Sequence, residues 1–105
     1  MDINNIIEQI GIIKEELGRL EKELETISVE GTDDNKIITA IVSGKGRVLD
    51  YQFNIGEMAG LKKDTLVKAV VDATNNSLQA VEDLKIARKK EIIGDVNMPD
   101  MPGLF

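Results

Sequence analysis

This 105-residue sequence has no cysteine, no histidine and no tryptophan, and only one tyrosine and two phenylalanines. Without Cys or His, zinc, haem and thiolate centres of the usual kinds are excluded, and so is any triad with His as its base. An all-carboxylate Mg²⁺ or Ca²⁺ site stays open in principle. The acidic residues are spread along helix-like faces, however, and no Asp-rich calcium loop occurs. No cofactor, metal or small-molecule substrate is therefore expected, and nothing sets a carboxylate apart for proton transfer, so an enzyme is not expected either. No run of eighteen or more apolar residues is present, which removes membrane-spanning helices. The N-terminus lacks the basic region and apolar run of a signal peptide, so the cytoplasm is the expected compartment. The lack of Cys suits a reducing cytosol.

What is present is aliphatic. Hydrophobic residues make up 42% of the chain, chiefly Ile, Leu and Val. That is enough for a core, in one domain or slightly less. At this size burial is limited, and an elongated shape would need self-association to hide its apolar face.

The strongest pattern lies in residues 3–27. Ile3, Ile6, Ile10, Ile13, Leu17, Leu20, Leu24 and Ile27 follow three-four alternation, with Glu and Lys filling the intervening positions. So narrow a stripe is a coiled-coil seam on one long helix. Gly11 and Gly18 each follow a seam position and cost about 1 kcal/mol against Ala. Tolerance on an outer face and close approach of a neighbouring helix both explain them.

An extended segment is expected from Thr26, and Gly31 to Asn35 reads as an Asx-prone turn. Lys36 to Ser43 is apolar on both alternating sets, Ile37, Thr39 and Ile41 against Ile38, Ala40 and Val42. Such a strand is normally covered on both faces, and a subunit interface supplies the second cover. The expected self-association surface is thus Ile3, Ile6, Ile10, Ile13, Leu17 and Leu20 with Ile38, Ala40 and Val42. Ser43-Gly44-Lys45-Gly46 is a hairpin connection using glycines at positive φ; its two glycines do not make a phosphate-cradling loop. The next strand alternates, Leu49, Tyr51, Phe53 and Ile55 against Val48, Asp50, Gln52 and Asn54. Tyr51 reads as a packed aromatic, not a catalytic acid.

Gly56 to Lys63 is a loop, followed by a second helix from about Lys63 or Asp64 to Ile93. Its apolar positions, Leu66, Val67, Val70, Val71, Ala73, Leu78, Val81, Leu84 and Ile86, form a wider stripe suited to lying on a sheet. Asn75 falls on that face and needs a hydrogen-bond partner. Lys85, Arg88, Lys89 and Lys90 near the end either stabilise the helix dipole or contact phosphate. Net charge is −6, distributed as −5 over residues 1–30, −1 over 31–60 and +2 over 61–93. A positive field is available only in the second half.

Helix, strand, hairpin, strand, helix and a Pro/Met/Gly tail, in this order, resemble the YbaB/EbfC family of nucleoid-associated DNA-binding proteins. The matching residues are Ile27-Ser28-Val29-Glu30-Gly31, Ser43-Gly44-Lys45-Gly46, Leu66, Val70-Val71-Asp72-Ala73-Thr74-Asn75-Asn76 and Met101-Pro102-Gly103-Leu104-Phe105. Asp33-Asp34-Asn35-Lys36 stands where family members often carry a run of glycines. The resemblance implies an α+β fold with a long N-terminal helix, a three-stranded antiparallel sheet and a long C-terminal helix, paired as an intertwined, tweezer-like homodimer. It implies one domain over residues 1–94 and a flexible tail over 95–105. It further implies a partner in duplex DNA, bound with little sequence preference, and residence on the nucleoid. Phosphates would be neutralised by Lys62, Lys63, Lys68, Lys85, Arg88, Lys89 and Lys90, with Arg19, Lys22, Lys45 and Arg47 as weaker candidates. The acidic first helix leaves open a protein-interaction or scaffolding module of the same fold.

Overall fold

Six elements follow one another along the described residues. A computed structural model describes residues 3–95 as α1 (Ile3–Thr26), β1 (Ser28–Thr32), β2 (Ile38–Ser43), β3 (Val48–Phe53), α2 (Ile55–Met58) and α3 (Lys63–Asp95). The strands form one antiparallel sheet in the order β1-β2-β3, so the expected α+β architecture is present. The tail expected over residues 95–105 lies, past Asp95, outside the described residues. The chain extends 68 × 22 × 16 Å with a radius of gyration of 19.0 Å. A compact chain of this length would have about 13 Å.

The elongation comes from α3. Its 33 residues make a rod about 50 Å long at 1.5 Å per residue. Its first half lies over β1 and β2, and its second half runs beside α1. The line facing the sheet is Ala69, Ala73 and Ser77, continued by Val81, each one helical turn apart and almost fully buried. Small side chains let the helix approach the strands closely. Gly31 completes that approach, because a Cβ there would sit 2.1 Å from the Ser77 backbone nitrogen. Gly31 was expected in a turn; it is a strand residue opposite Ala40, and the turn begins two residues later.

Under this seat Ile37, Ile38, Ala40, Ala69 and Ala73 form the core, ringed by Tyr51, Met58, Leu61, Leu66 and Val70. The wide apolar stripe expected on α3 therefore divides. Leu66 and Val70 border the core, whereas Val67 and Val71 stay about half exposed on the outer flank. Asn75 is exposed, and the amide that bonds is its neighbour's: Asn76 Nδ2 donates to the Thr32 carbonyl at 2.8 Å. Ser77, not Asn75, is the polar residue on the packing face, with its hydroxyl returned to the Thr74 carbonyl at 2.6 Å.

The β1–β2 turn is built by Asp33, whose carboxylate is buried. Oδ1 accepts from the amides of Ile37 and Ile38, each at 2.8 Å, and Oδ2 from Asn35 at 3.2 Å. These bonds hold Lys36 at φ 57°, a left-handed conformation costing about 1–2 kcal/mol for a non-glycine residue. In the β2–β3 hairpin Gly46 has φ 82°, as expected of its turn. Gly44 serves a different purpose, since a Cβ there would lie 2.6 Å from the Leu24 carbonyl oxygen. It lets the end of α1 rest on the hairpin.

Two expectations about β3 change. A bulge opposite Ile41 and Val42 pairs Val42 with Val48 and leaves Leu49 as the extra residue, which breaks the strict alternation. Ile55 belongs to α2. Because α3 lies mainly over β1 and β2, the supposed packed side of β3 is largely uncovered. Leu49, Phe53 and Ile55 are 53%, 49% and 81% exposed.

Along α1 the seam is covered unevenly. Ile13, Leu20 and Leu24 are buried, Leu17, Ile6 and Ile10 are half-buried, and Ile3 is exposed. Gly11 and Gly18 face open space, so within the chain they are simply tolerated. Ile38, Ala40 and Val42, expected at a subunit interface, are buried within the single chain, Ile38 and Ala40 in the core with Ala69 and Ala73 of α3. These three side chains leave no free surface for a partner, whereas Thr39 and Ile41 of the other alternating set are only half-buried.

Candidate nucleic-acid interface

The candidate cations occupy two regions of the rod. At the junction where α1 meets the β2–β3 hairpin, Lys45 pairs with Glu21 of α1. One residue pair further along α1, Glu23 accepts from Arg88 of α3 at 2.6 Å. Glu21 and Glu25 share one face of α1, at i and i+4, and this face meets the hairpin; Glu23 lies on the face that meets α3. Glu25, Ser43, Lys45, Arg47 and Leu49 line an open cleft of about 400 Å³. The Ser43 hydroxyl shapes its rim by accepting from the amides of Lys45 and Arg47, both at 3.2 Å. Lys22 lies between the two paired glutamates, and Lys89 and Lys90 follow Arg88 directly. The fold thus links cations far apart in sequence to the end of α1, Lys45 with its hairpin neighbour Arg47 on the Glu21 face, and Arg88, which Lys89 and Lys90 follow, on the Glu23 face about 200° around the helix.

The other region is the start of α3, where Lys62, Lys63 and Lys68 stand. Lys63 and Arg88 are 25 residues apart on one helix, about 38 Å. Lys68 bonds Asp72 at 2.9 Å. The hydrogen bond and the charge of Asp72 raise its pKa above the ordinary lysine value, with some opposition from desolvation and a further contribution from Asp34. Lys68 also lines a small recess with Asp33, Asp34 and Asp72. Its charge is already answered locally, which makes this a poor phosphate site.

Pairing separates the candidates further. Arg19 bonds Glu16 at 2.7 Å, Lys85 lies 3.6 Å from Glu82, and Arg88 has Glu91 at 3.8 Å as well as Glu23. Among the described residues, Lys22, Arg47, Lys62, Lys63, Lys89 and Lys90 make no ion pair. The helix-dipole explanation for Lys85 to Lys90 also loses ground. The helix continues through Gly94 to Asp95, with no basic residue in that last turn, and dipole effects fade within one turn. The partners Glu21 and Glu23 were not singled out from the sequence. Their spacing to each other is visible there, but their cationic partners lie 24 and 65 residues away.

Among the described residues there is no group of three or more His, Cys, Asp or Glu side chains placed to hold a metal ion, and no helix is long and apolar enough to cross a membrane.

The model of the YbaB/EbfC DNA-binding family matches residues 1–96. A nucleoid-associated protein of Caldanaerobacter subterraneus subsp. tengcongensis is 29% identical over 104 residues, 99% of this chain and 91% of the relative. One from Bacillus cytotoxicus is 27% identical, over 99% of this chain and 94% of its own. The crystal structure of an uncharacterized protein from Helicobacter pylori shares the fold with a TM-score of 0.70 at 18% identity, covering 90% of this chain and 99% of that one.

Proposed function

Since the chain belongs to the YbaB/EbfC DNA-binding family, we propose that it is a nucleoid-associated protein that binds duplex DNA as a homodimer, mainly through phosphates and with little sequence preference. The observation behind this reading is the end of α1, where the β2–β3 hairpin brings Lys45 with the unpaired Arg47, and α3 brings Arg88, followed in sequence by the unpaired Lys89 and Lys90; Lys22, also unpaired, stands in sequence between the two glutamates of α1. Exposed cations of this kind neutralise phosphates and release counterions, which positions a duplex without reading its bases. The direct experiment is a salt titration of binding to unrelated duplexes. Retention of all of them at low salt, lost steeply as salt rises, is the expected result. No retention at low salt removes the reading and favours the alternative, a protein-interaction module. That alternative draws on the −5 charge of residues 1–30 and on Ile3 and Ile7, which are 70% and 63% exposed.

The second copy is proposed to dock on the uncovered side of β3 and the outer flank of α3. β3 is an edge strand whose main-chain groups are open to another strand. Thr74 of α3 hydrogen-bonds Tyr51 of β3 at 2.7 Å, and Val71 and Val67 lie one and two turns before it. With Val48, Leu49, Phe53 and Ile55 they form an exposed apolar surface of the sort that marks an interface. Val71→Glu, a half-exposed position with room for the new side chain, is expected to convert the dimer into a folded monomer in sedimentation equilibrium. An unchanged dimer would return the interface to the seam of Ile3, Ile6 and Ile10, exposed at Ile3 and half-buried at the other two.

A further inference from the structure

We propose that Glu21 and Glu23 are built-in competitors for phosphate, which hold Lys45 and Arg88 in a masked state and so restrict DNA binding to low salt or high DNA density. This inference rests on the DNA-binding reading and names a regulation of the same junction.

Three observations lead to it. First, the two pairs differ from the others along the chain. Arg19–Glu16, Lys68–Asp72 and Lys85–Glu82 join neighbours three or four apart on one helix, which any charged helix acquires. Lys45–Glu21 and Arg88–Glu23 join different elements, so the tertiary fold itself aims a carboxylate at each of these cations. Secondly, all four side chains keep between 38% and 60% of their exposure, with Lys45 at 38%, Glu21 at 60%, Arg88 at 39% and Glu23 at 41%. A pair that wet is weakly held, and a phosphate can approach and replace the carboxylate. Thirdly, Glu25, one turn after Glu21 on the same face of α1, lines the same cleft as Lys45 and Arg47. The end of α1 thus places carboxylate where a backbone phosphate would otherwise sit.

Masking has a thermodynamic signature. A cation already neutralised by its own carboxylate gains less from phosphate, because the broken pair must be set against the new one. Replacing the carboxylates by amides keeps the shape of the side chains, frees Lys45 and leaves Arg88 only its longer contact to Glu91 at 3.8 Å. Each newly free cation that meets phosphate steepens the dependence of log affinity on log salt by about 0.9.

The test compares two double variants with the same change of formal charge. Glu21→Gln with Glu23→Gln removes the inter-element partners. Glu8→Gln with Glu15→Gln removes two exposed α1 carboxylates that make no ion pair among the described residues. Duplex affinity is measured across a salt series, and retention on phosphocellulose is measured beside it as a readout independent of DNA structure. The first double is expected to bind duplex about tenfold more tightly than the parent, with a slope steeper by about 1 to 2 per protomer, the lower figure applying where Arg88 stays with Glu91. The second is expected to gain less than about threefold with an unchanged slope, from the smaller net negative charge alone. Each single variant, Glu21→Gln or Glu23→Gln, should show part of the gain, which separates masking from a fold change confined to the double. Equal behaviour of the two doubles on both duplex and phosphocellulose would overturn masking. A graded order on phosphocellulose with no duplex binding by any of the proteins would instead overturn the DNA-binding reading and leave masking standing.

Discussion

Gly31→Ala is expected to abolish cooperative folding or to lower stability by more than about 4 kcal/mol, read as the urea midpoint by circular dichroism. The added Cβ would meet the Ser77 nitrogen at 2.1 Å, the Ser77 Cα at 2.6 Å and the Asn76 carbonyl carbon at 2.7 Å. All three are main-chain atoms of α3, so no side chain can swing away to make room. The helix must lift from the sheet, and Ala69, Ala73, Ile38, Ala40 and Val42 lose their contacts together. Overpacking alone costs about 1–3 kcal/mol. A gap of one ångström forfeits up to half the dispersion energy of each lining contact besides. Against a total of about 5–15 kcal/mol for a domain, that is most of the stability. Gly18→Ala is the contrasting case. It faces open space, and its expected effect is a gain of about 1 kcal/mol from helix propensity. Near-native stability in Gly31→Ala would mean that α3 is not seated on β1 in solution as described here.

The second large effect concerns binding. Changing Lys22, Arg47, Lys89 and Lys90 together to Gln is expected to weaken duplex binding by more than about 100-fold at moderate salt and to flatten the log–log salt slope by about 3 to 4 per protomer. All four are unpaired among the described residues, so their loss breaks no internal ion pair and the fold should be kept. The matched comparison changes Lys62, Lys63 and Lys68, about 30–38 Å from Arg88 along α3. It removes nearly as much positive charge but should cost only a few-fold in affinity. If the Lys62, Lys63 and Lys68 variant proves the more damaging, the footprint belongs at the sheet end of the molecule.

Much of the fold could be read from local pattern. The three-four alternation of α1 and the strand–hairpin–strand order are both properties of short windows. Asp33 likewise announces its turn through chemistry that acts over five residues. The parts that were misread depend on distant neighbours. Gly31 looked like a turn residue because its reason for being glycine is the Ser77 backbone, 46 positions later. Val67 and Val71 looked buried because they are apolar; only the path of α3 over β1 and β2, and not over β3, shows them to be on the outside. Asn75 and Asn76 differ by 100° around the helix, and the exact rotation of α3 decides which one reaches Thr32. The basic residues were legible as types, and the first helix as an acidic stretch. Which cation is answered by which carboxylate was not, since Glu23 and Arg88 meet only after the chain has folded back on itself.

The close seat of α3 has a mechanical consequence. Residues 63–77 are clamped to the sheet by the row Ala69, Ala73 and Ser77 against Gly31, while the helix beyond them continues unbroken for a further 18 residues, about 27 Å. It is a lever with its fulcrum at Ser77 and its long arm leaning on α1, to which Arg88 ties it through Glu23. A tilt of about 4° at the fulcrum moves the far end by about 2 Å, comparable to the difference between touching a phosphate and missing it. The smallest side chains in the molecule therefore set the aim of its most strongly charged ones, and the reach of Lys89 and Lys90 is decided a full arm's length from where they act.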